Sequence, residues 1–300
     1  MTFPSLNNMM TKNATGKCLN AMRYEQKFIA RPDGTKLRIC VYSPLEPKEN
    51  VPGVLWMHGG GYAMGIPEHE EWAVKRFVDA SGCMVVCPDY CLSARAPYPA
   101  ALEDCYAALL WLKAHGGAYG MRNDQIMVGG GSAGGGLAAA VTLLARDKDE
   151  VSIAYHMPLY PMIDDRMDTA SAAGSNAPFW NAKTSRIGWK MYLGHLFGTP
   201  EVPIHAAPAR AEDLRGMPPA CTLVGSLDPF RDETIAYVKK LRAAGVPVTF
   251  RLFEGCFHGF DLFCPETEIA KEATAFVTEN FRHAAANYFA EQKAQHGPPA

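Results

Sequence analysis

Short, mainly apolar runs recur along the chain, the last of them interrupted by Thr249 and Arg251, and most are closed by a glycine- or proline-bearing loop and followed by a segment with apolar residues at helical spacing. The runs are Val54 to Met57, Met84 to Cys87, Ile126 to Val128, Ile153 to Leu159, Ala220 to Val224 and Val248 to Phe253. Runs of this length bounded by turn residues predict buried strands. The intervening patterns predict helices over Glu70 to Ala80, Ala100 to His115, from Leu137 onward, Asp232 to Ala244, and Glu266 to about Gln292. Strand and helix in repeated alternation imply an α/β fold, a mostly parallel central sheet with helices on both faces. Ahead of it, Tyr24 to Arg31 and Lys36 to Tyr42 alternate apolar with polar around Arg31-Pro32-Asp33-Gly34, the mark of a β-hairpin.

Between residues 164 and 208 the repeat breaks. Asp164 and Asp165, a Ser/Ala/Gly stretch, and Phe179, Trp180, Trp189, Tyr192 and Phe197 in weakly helical spacing mark an insertion, expected to form a small helical lid. The expected organisation is an N-terminal arm at 1–22 that is a candidate part of the cap, a core at 23–163 and 209–292, the lid at 164–208, and a frayed tail at 293–300.

A chain of 300 residues with 48% hydrophobic content is enough for one large α/β core or two small domains. A formal net charge of −2 with both signs scattered gives no footprint for nucleic acid or an anionic membrane. No run is long and apolar enough to span a bilayer and the first twenty residues lack a signal-peptide core, so the reduced cytoplasm is the expected address. The nine cysteines lack a Cys-x-x-Cys pair; Cys40, Cys83, Cys87 and Cys105 fall in apolar patterns as small buried hydrophobes. Cys83, Cys87 and Cys91 are evenly spaced, but in a strand running into a turn that spacing does not gather side chains on one face, so no metal site is expected.

The chemistry concentrates where strands end. Gly130, Ser132 and Gly134 form Gly-x-Ser-x-Gly between a strand and a helix, a turn whose small residues let the serine adopt a strained backbone and lift its hydroxyl off the sheet. A phosphate-binding loop is the competing use of such a turn, but no Gly-x-x-x-x-Gly-Lys-Ser/Thr is present. His58-Gly59-Gly60-Gly61-Tyr62 follows another strand, and its unshielded N–H groups suit an oxyanion. Asp228 and His258 follow the last two strands. A serine hydroxyl needs a base, and the base needs a carboxylate to hold its tautomer, so Ser132, His258 and Asp228 are the candidate triad, in the chain order serine, acid, histidine. Asp232 and Glu233 compete for the acid's place, yet both fall in a first helical turn, where acids are expected for the dipole. His58 is read as a brace of its own loop and His156, inside a strand, as a core residue.

Taken together, His58-Gly-Gly-Gly-Tyr62, Gly130-Gly-Ser-Ala-Gly-Gly135, Asp228-Pro-Phe-Arg-Asp-Glu233 and His258-Gly-Phe260 resemble the hormone-sensitive-lipase-like, or bacterial family IV, branch of the α/β-hydrolases, over about residues 24 to 285. The resemblance implies the α/β-hydrolase fold and a cofactor-free serine carboxylesterase acting on small-molecule esters of short to medium chain. It implies Ser132 as nucleophile, His258 as base, Asp228 as its partner, an oxyanion hole from the N–H groups of Gly60, Gly61 and Ala133, and a homodimer as a candidate assembly. Tyr62, Phe179, Trp180, Trp189 and Phe260 are the candidate substrate-binding residues. Gly131 departs from the family, which usually carries an acid there. Two alternatives keep the fold: a non-catalytic small-molecule receptor, against which His258 argues, and an acyltransferase or amidase using the same triad.

Overall fold

The computed structural model describes residues 7, 11–31 and 33–293. The rest of the expected arm, Pro32 in the hairpin turn, and the expected tail from residue 294 lie outside the described residues. In chain order the main elements are β1 (Arg23–Ala30), β2 (Lys36–Ser43), β3 (Val51–Met57), α1 (Glu71–Ser81), β4 (Met84–Pro88), α2 (Ala100–His115), β5 (Met121–Gly131) and α3 (Ala133–Lys148). They continue with β6 (Tyr155–Leu159), α4 (Ala182–Leu193), β7 (Ala220–Gly225), α5 (Arg231–Ala243), β8 (Val248–Phe253) and α6 (Glu268–Asn287).

Among the described residues the strands form one sheet in the order β1-β2-β4-β3-β5-β6-β7-β8. The hairpin strands pair antiparallel, β2 pairs antiparallel with β4, and every pairing from β4 to β8 is parallel. The interior strands β3, β4, β6 and β7 are buried along their whole length, and β5 from Gln125 to Gly130, because both faces of the sheet are covered there. In β3 the period of two sends Val54 and Trp56 toward α1 and α6, and Leu55 and Met57 toward α2 and α3. Each such fully buried side chain contributes on the order of 1.5–3 kcal/mol. Helix α3, behind the serine, is buried nearly all round, which explains its lack of an apolar/polar alternation.

Two boundaries differ from those the pattern predicts. The serine strand runs from Met121 rather than Ile126, because its polar start, Arg122 to Asp124, lies where the strand begins to pair through Met121 with Val51. The helix after the serine begins at Ala133, four residues before Leu137. The glycines between, which look like loop, are helical: a Cβ on Gly134 would lie 2.1 Å from the Met57 carbonyl oxygen, and one on Gly136 2.1 Å from that of Met162. Their small size lets the helix press against the end of β3. Within 164–208, α4 is the one helix longer than a turn or so; Ala170–Ala173 and Gly194–Leu196 are single turns and the rest is irregular. No helix among the described residues is long and apolar enough to cross a membrane.

Candidate active site

Ser132 sits at the junction of β5 and α3 with φ 59° and ψ −120°. A non-glycine residue rarely adopts this geometry, which costs on the order of 1–3 kcal/mol and persists where the surroundings over-determine it. Here they do. The Ser132 N–H donates to the Leu159 carbonyl at 3.0 Å, while its carbonyl accepts from the N–H of Met162 at 3.0 Å and of Gly136 at 2.9 Å. Gly130 leaves no room for a side chain either, since its Cβ would lie 2.5 Å from the Gly134 carbonyl oxygen and 2.6 Å from that of Met57. At Gly131 a Cβ would lie 3.1 Å from the Tyr160 ring. The aromatic ring of Tyr160 thus occupies the ground beside the serine where an acidic side chain would otherwise project.

The loops after β7 and β8 are zipped together. Ser226 N–H donates to Phe253 O and Leu227 N–H to Cys256 O, both at 2.9 Å. This brings Asp228 Oδ2 to 2.8 Å from His258 Nδ1, and His258 Nε2 to 2.8 Å from Ser132 Oγ. The three expected side chains, up to 126 residues apart in the chain, therefore meet. Asp228 is 1% exposed, and its other oxygen accepts the Phe230 N–H at 2.8 Å. That Asx-type turn fixes the carboxylate. The His258 ring is held by the edges of Phe230 and Tyr160, with centroids at 5.0 and 5.2 Å. Neither aromatic is a candidate in the sequence reading, although Phe230, directly after Asp228-Pro229 and inside the quoted motif, carries a signal that could have found it. Asp232 pairs with Arg231 and Ser171 instead, and Glu233, 1% exposed, lies near Asp228 and is pushed well above the usual carboxylate range by burial.

The glycine loop after β3 lies against the serine: a Cβ on Gly59 would be 3.5 Å from Ser132 Cβ. Gly60 and Gly61 both have positive φ, 113° and 60°, conformations open to glycine. Among the described residues the N–H groups of Gly60, Gly61 and Ala133 make no backbone hydrogen bond, and Ala133, as the first residue of α3, has no intrahelical partner by position. His58 braces this loop. Its Nδ1 donates to Gly59 O at 2.7 Å, its ring stacks on Tyr90 at 4.1 Å, and Tyr90 Oη donates to His58 O at 2.9 Å. Burial pulls the His58 imidazole down to about 4, so it is neutral at neutral pH. Glu70, unforeseen, accepts from Trp56 Nε1 at 2.8 Å and Gly59 N at 3.4 Å.

The five aromatic candidates separate into two groups. Trp180 lies over the glycine loop, close enough that a Cβ on Gly61 would be 2.2 Å from its Cη2, and its ring centroid is 6.3 Å from that of His258. Phe179 is 60% exposed and stacks on Phe263 and Phe257. The other three offer a substrate almost no surface. Tyr62 is buried, donates to the Met162 carbonyl at 2.6 Å and stacks on Tyr192; Trp189 is fully buried against Tyr62; Phe260 packs on Phe253. Their apolarity serves the core that supports the site, which sequence alone does not separate from contact with ligand. All nine cysteines are free, and no metal-holding group of His, Cys, Asp or Glu occurs among the described residues.

A family model described as alpha/beta hydrolase fold matches residues 54–262. Among curated relatives the chain is 35% identical over 248 residues to Esterase LipI of Mycobacterium tuberculosis, covering 82% of this chain and 76% of that protein. It is 31% identical over 255 residues to Arylesterase of Saccharolobus solfataricus, covering 81% and 78%. Among solved structures it is similar to Bacterial Heroin Esterase, with a TM-score of 0.86 at 34% identity over 94% of this chain and 90% of that one. An esterase of Pyrobaculum calidifontis gives a TM-score of 0.83 at 29% identity over 96% and 94%.

Proposed function

The chain belongs to the α/β-hydrolase fold family, in its hormone-sensitive-lipase-like esterase branch, and from that premise we propose that it is a serine carboxylesterase in which Ser132, His258 and Asp228 hydrolyse short- to medium-chain esters. His258 Nε2 takes the Ser132 hydroxyl proton as Oγ adds to the ester carbonyl carbon. The N–H groups of Gly60, Gly61 and Ala133 stabilise the oxyanion of the tetrahedral intermediate. His258 then gives its proton to the departing alkoxy oxygen, releasing the alcohol and leaving acyl-Ser132. Water, deprotonated by His258, attacks the acyl carbon, and collapse of the second intermediate returns the carboxylic acid and the free serine. Asp228 holds the imidazole tautomer with its lone pair on Nε2 and stabilises the imidazolium.

The observation that carries this proposal is the pair of 2.8 Å contacts from Asp228 through His258 to Ser132 at the carboxyl edge of the sheet. The relatives' esterase names favour water as acceptor over the acyltransferase and receptor alternatives. Under the same reading residues 164–208 act as a lid, the nine free thiols suit a reducing cytoplasm, and β8, at the sheet's open edge, is the surface for a homodimer. Turnover of p-nitrophenyl acetate through decanoate by the native protein and by Ser132→Ala tests the reaction. Activity highest on the shorter esters and abolished by the substitution is expected; equal rates in both proteins, or a preference for long-chain triglyceride emulsions, would overturn it.

A further inference from the structure

An exposed aromatic ridge stands on the histidine side of the site. Phe179 is 60% exposed and Phe263 53%, yet their rings stack with centroids 4.1 Å apart and planes within 5°. Phe257, next to His258, also packs on Phe179, with ring centroids 5.4 Å apart and planes 29° from parallel. Leu262, beside Phe263 in the chain, is 40% exposed, and a Cβ on Gly259 would lie 4.0 Å from its Cδ1. The ridge is tied to the base: a Cβ on Gly259 would lie 3.2 Å from the Phe263 ring.

Phe179 is held in place at a conformational cost. It has φ 64°, and the Trp180 N–H donates across it to the Pro178 carbonyl at 2.7 Å. This is the γ-turn with a positive central φ, which is rare and strained, most of all for a bulky residue. The turn holds Trp180 over Gly61 and leaves the Phe179 ring facing solvent on Phe263. Strain of this kind collects where a ligand is clamped, and a solvent-exposed stack of phenyl rings next to a reactive centre marks a binding surface.

Chemistry decides which part of an ester the ridge meets. The departing alkoxy oxygen takes its proton from His258 Nε2, so the alcohol half lies on the His258 side of Ser132 when the bond breaks, whereas the carbonyl oxygen lies at the glycine loop. We propose that the Phe179–Phe263 ridge, with Phe257, is the alcohol subsite, and that it selects esters of aromatic alcohols. This rests on the proposed esterase reaction. A flat aryl group continues the parallel stack and gains on the order of 0.5–1.5 kcal/mol beyond area burial, equivalent to about a two- to twelvefold preference.

The test compares 2-naphthyl butyrate with ethyl butyrate, which share an acyl group, in the native protein, Phe179→Ala, Phe179→Leu and Phe263→Ala. Both positions are largely exposed, and thermal melts verify that each variant is folded. The ratio of kcat/KM for the naphthyl ester to that for the ethyl ester should fall about two- to twelvefold in each alanine variant, mainly through KM, with Phe179→Leu between. Replacing butyrate by acetate in both esters should leave that fall unchanged, because the acyl half lies elsewhere. An unchanged ratio in the alanine variants, or a fall that tracks the acyl group, overturns the inference while leaving the esterase reading intact. Absence of turnover of either ester by the native protein overturns both. Dissociation of a native dimer by Phe179→Ala, with the ratio unchanged, would assign the ridge to subunit contact instead.

Discussion

Replacing Asp228 with Asn removes a charge and almost no volume, so its effect isolates the role of the carboxylate. In the structure one oxygen of Asp228 accepts the Phe230 N–H and the other faces His258 Nδ1, each at 2.8 Å. An asparagine has one acceptor to serve both. If its carbonyl keeps the Phe230 N–H, its NH2 group is aimed at Nδ1, and the imidazole must move its proton to Nε2. Nε2 would then donate toward Ser132 Oγ, leaving the hydroxyl without a base. If the amide flips, His258 keeps the right tautomer, but the Phe230 N–H faces an NH2 group in a site 1% exposed, costing on the order of 1–3 kcal/mol. The first arrangement is therefore favoured. The same swap in the serine protease template lowers kcat by about 10⁴, and a loss of about 10³–10⁴ is expected here, against near-complete loss in Ser132→Ala. The assay is kcat/KM for p-nitrophenyl butyrate from pH 6 to 9, with circular dichroism to verify folding. Activity in Asp228→Asn within tenfold of native would refute the tautomer argument.

Three further outcomes follow from particular contacts. Gly61→Ala places a methyl 2.2 Å from Trp180 Cη2 at a φ of 60°, and should lower kcat by about a hundredfold or more by displacing a proposed oxyanion donor; adding Trp180→Ala should recover part of it, and no recovery would mean that the clash is not the cause. Arg38→Met strips the guanidinium from Glu68, a nearly buried carboxylate held down to about 2. It should cost about 3–5 kcal/mol in a denaturant titration, and a loss below 1 kcal/mol would contradict this. His58 and His156 are each lowered by burial to about 4 from 6.5, so between those values the unfolded chain binds more protons than the folded one. Stability present above about pH 6.5 is then lost as pH falls toward 4, by up to roughly 3 kcal/mol per histidine, and a midpoint temperature flat across that window would rule this out.

The sheet was legible because parallel interior strands are covered on both faces and read as unbroken apolar runs, as at Val54 to Met57. Gly134 to Gly136 misled because glycine's low helix propensity describes an isolated helix, while in this chain the missing side chains admit the carbonyls of β3 and the loop after β6. That Ser132, Asp228 and His258 would meet was legible because each stands at a strand end, in a motif whose proposed chemistry calls for the other two. The aromatic wall was not. Trp180 and Trp189 look alike in the sequence, but one caps the glycine loop and the other fills the core under Tyr62, a difference set by the irregular path of 164–181. Phe257 and Phe263 acquire their place from stacking with Phe179 across more than 70 residues of chain, which no local periodicity encodes.

The central claim is that Ser132 carries the acyl group because His258 activates it, and covalent labelling reads this directly. Native protein, Ser132→Ala and His258→Ala are treated with a fluorophosphonate and digested, and the label is located by mass spectrometry. One label per chain on the peptide containing Ser132 is expected, with none in Ser132→Ala and a strongly slowed reaction in His258→Ala. Label on a different residue, or equal labelling rates in native protein and His258→Ala, would contradict it.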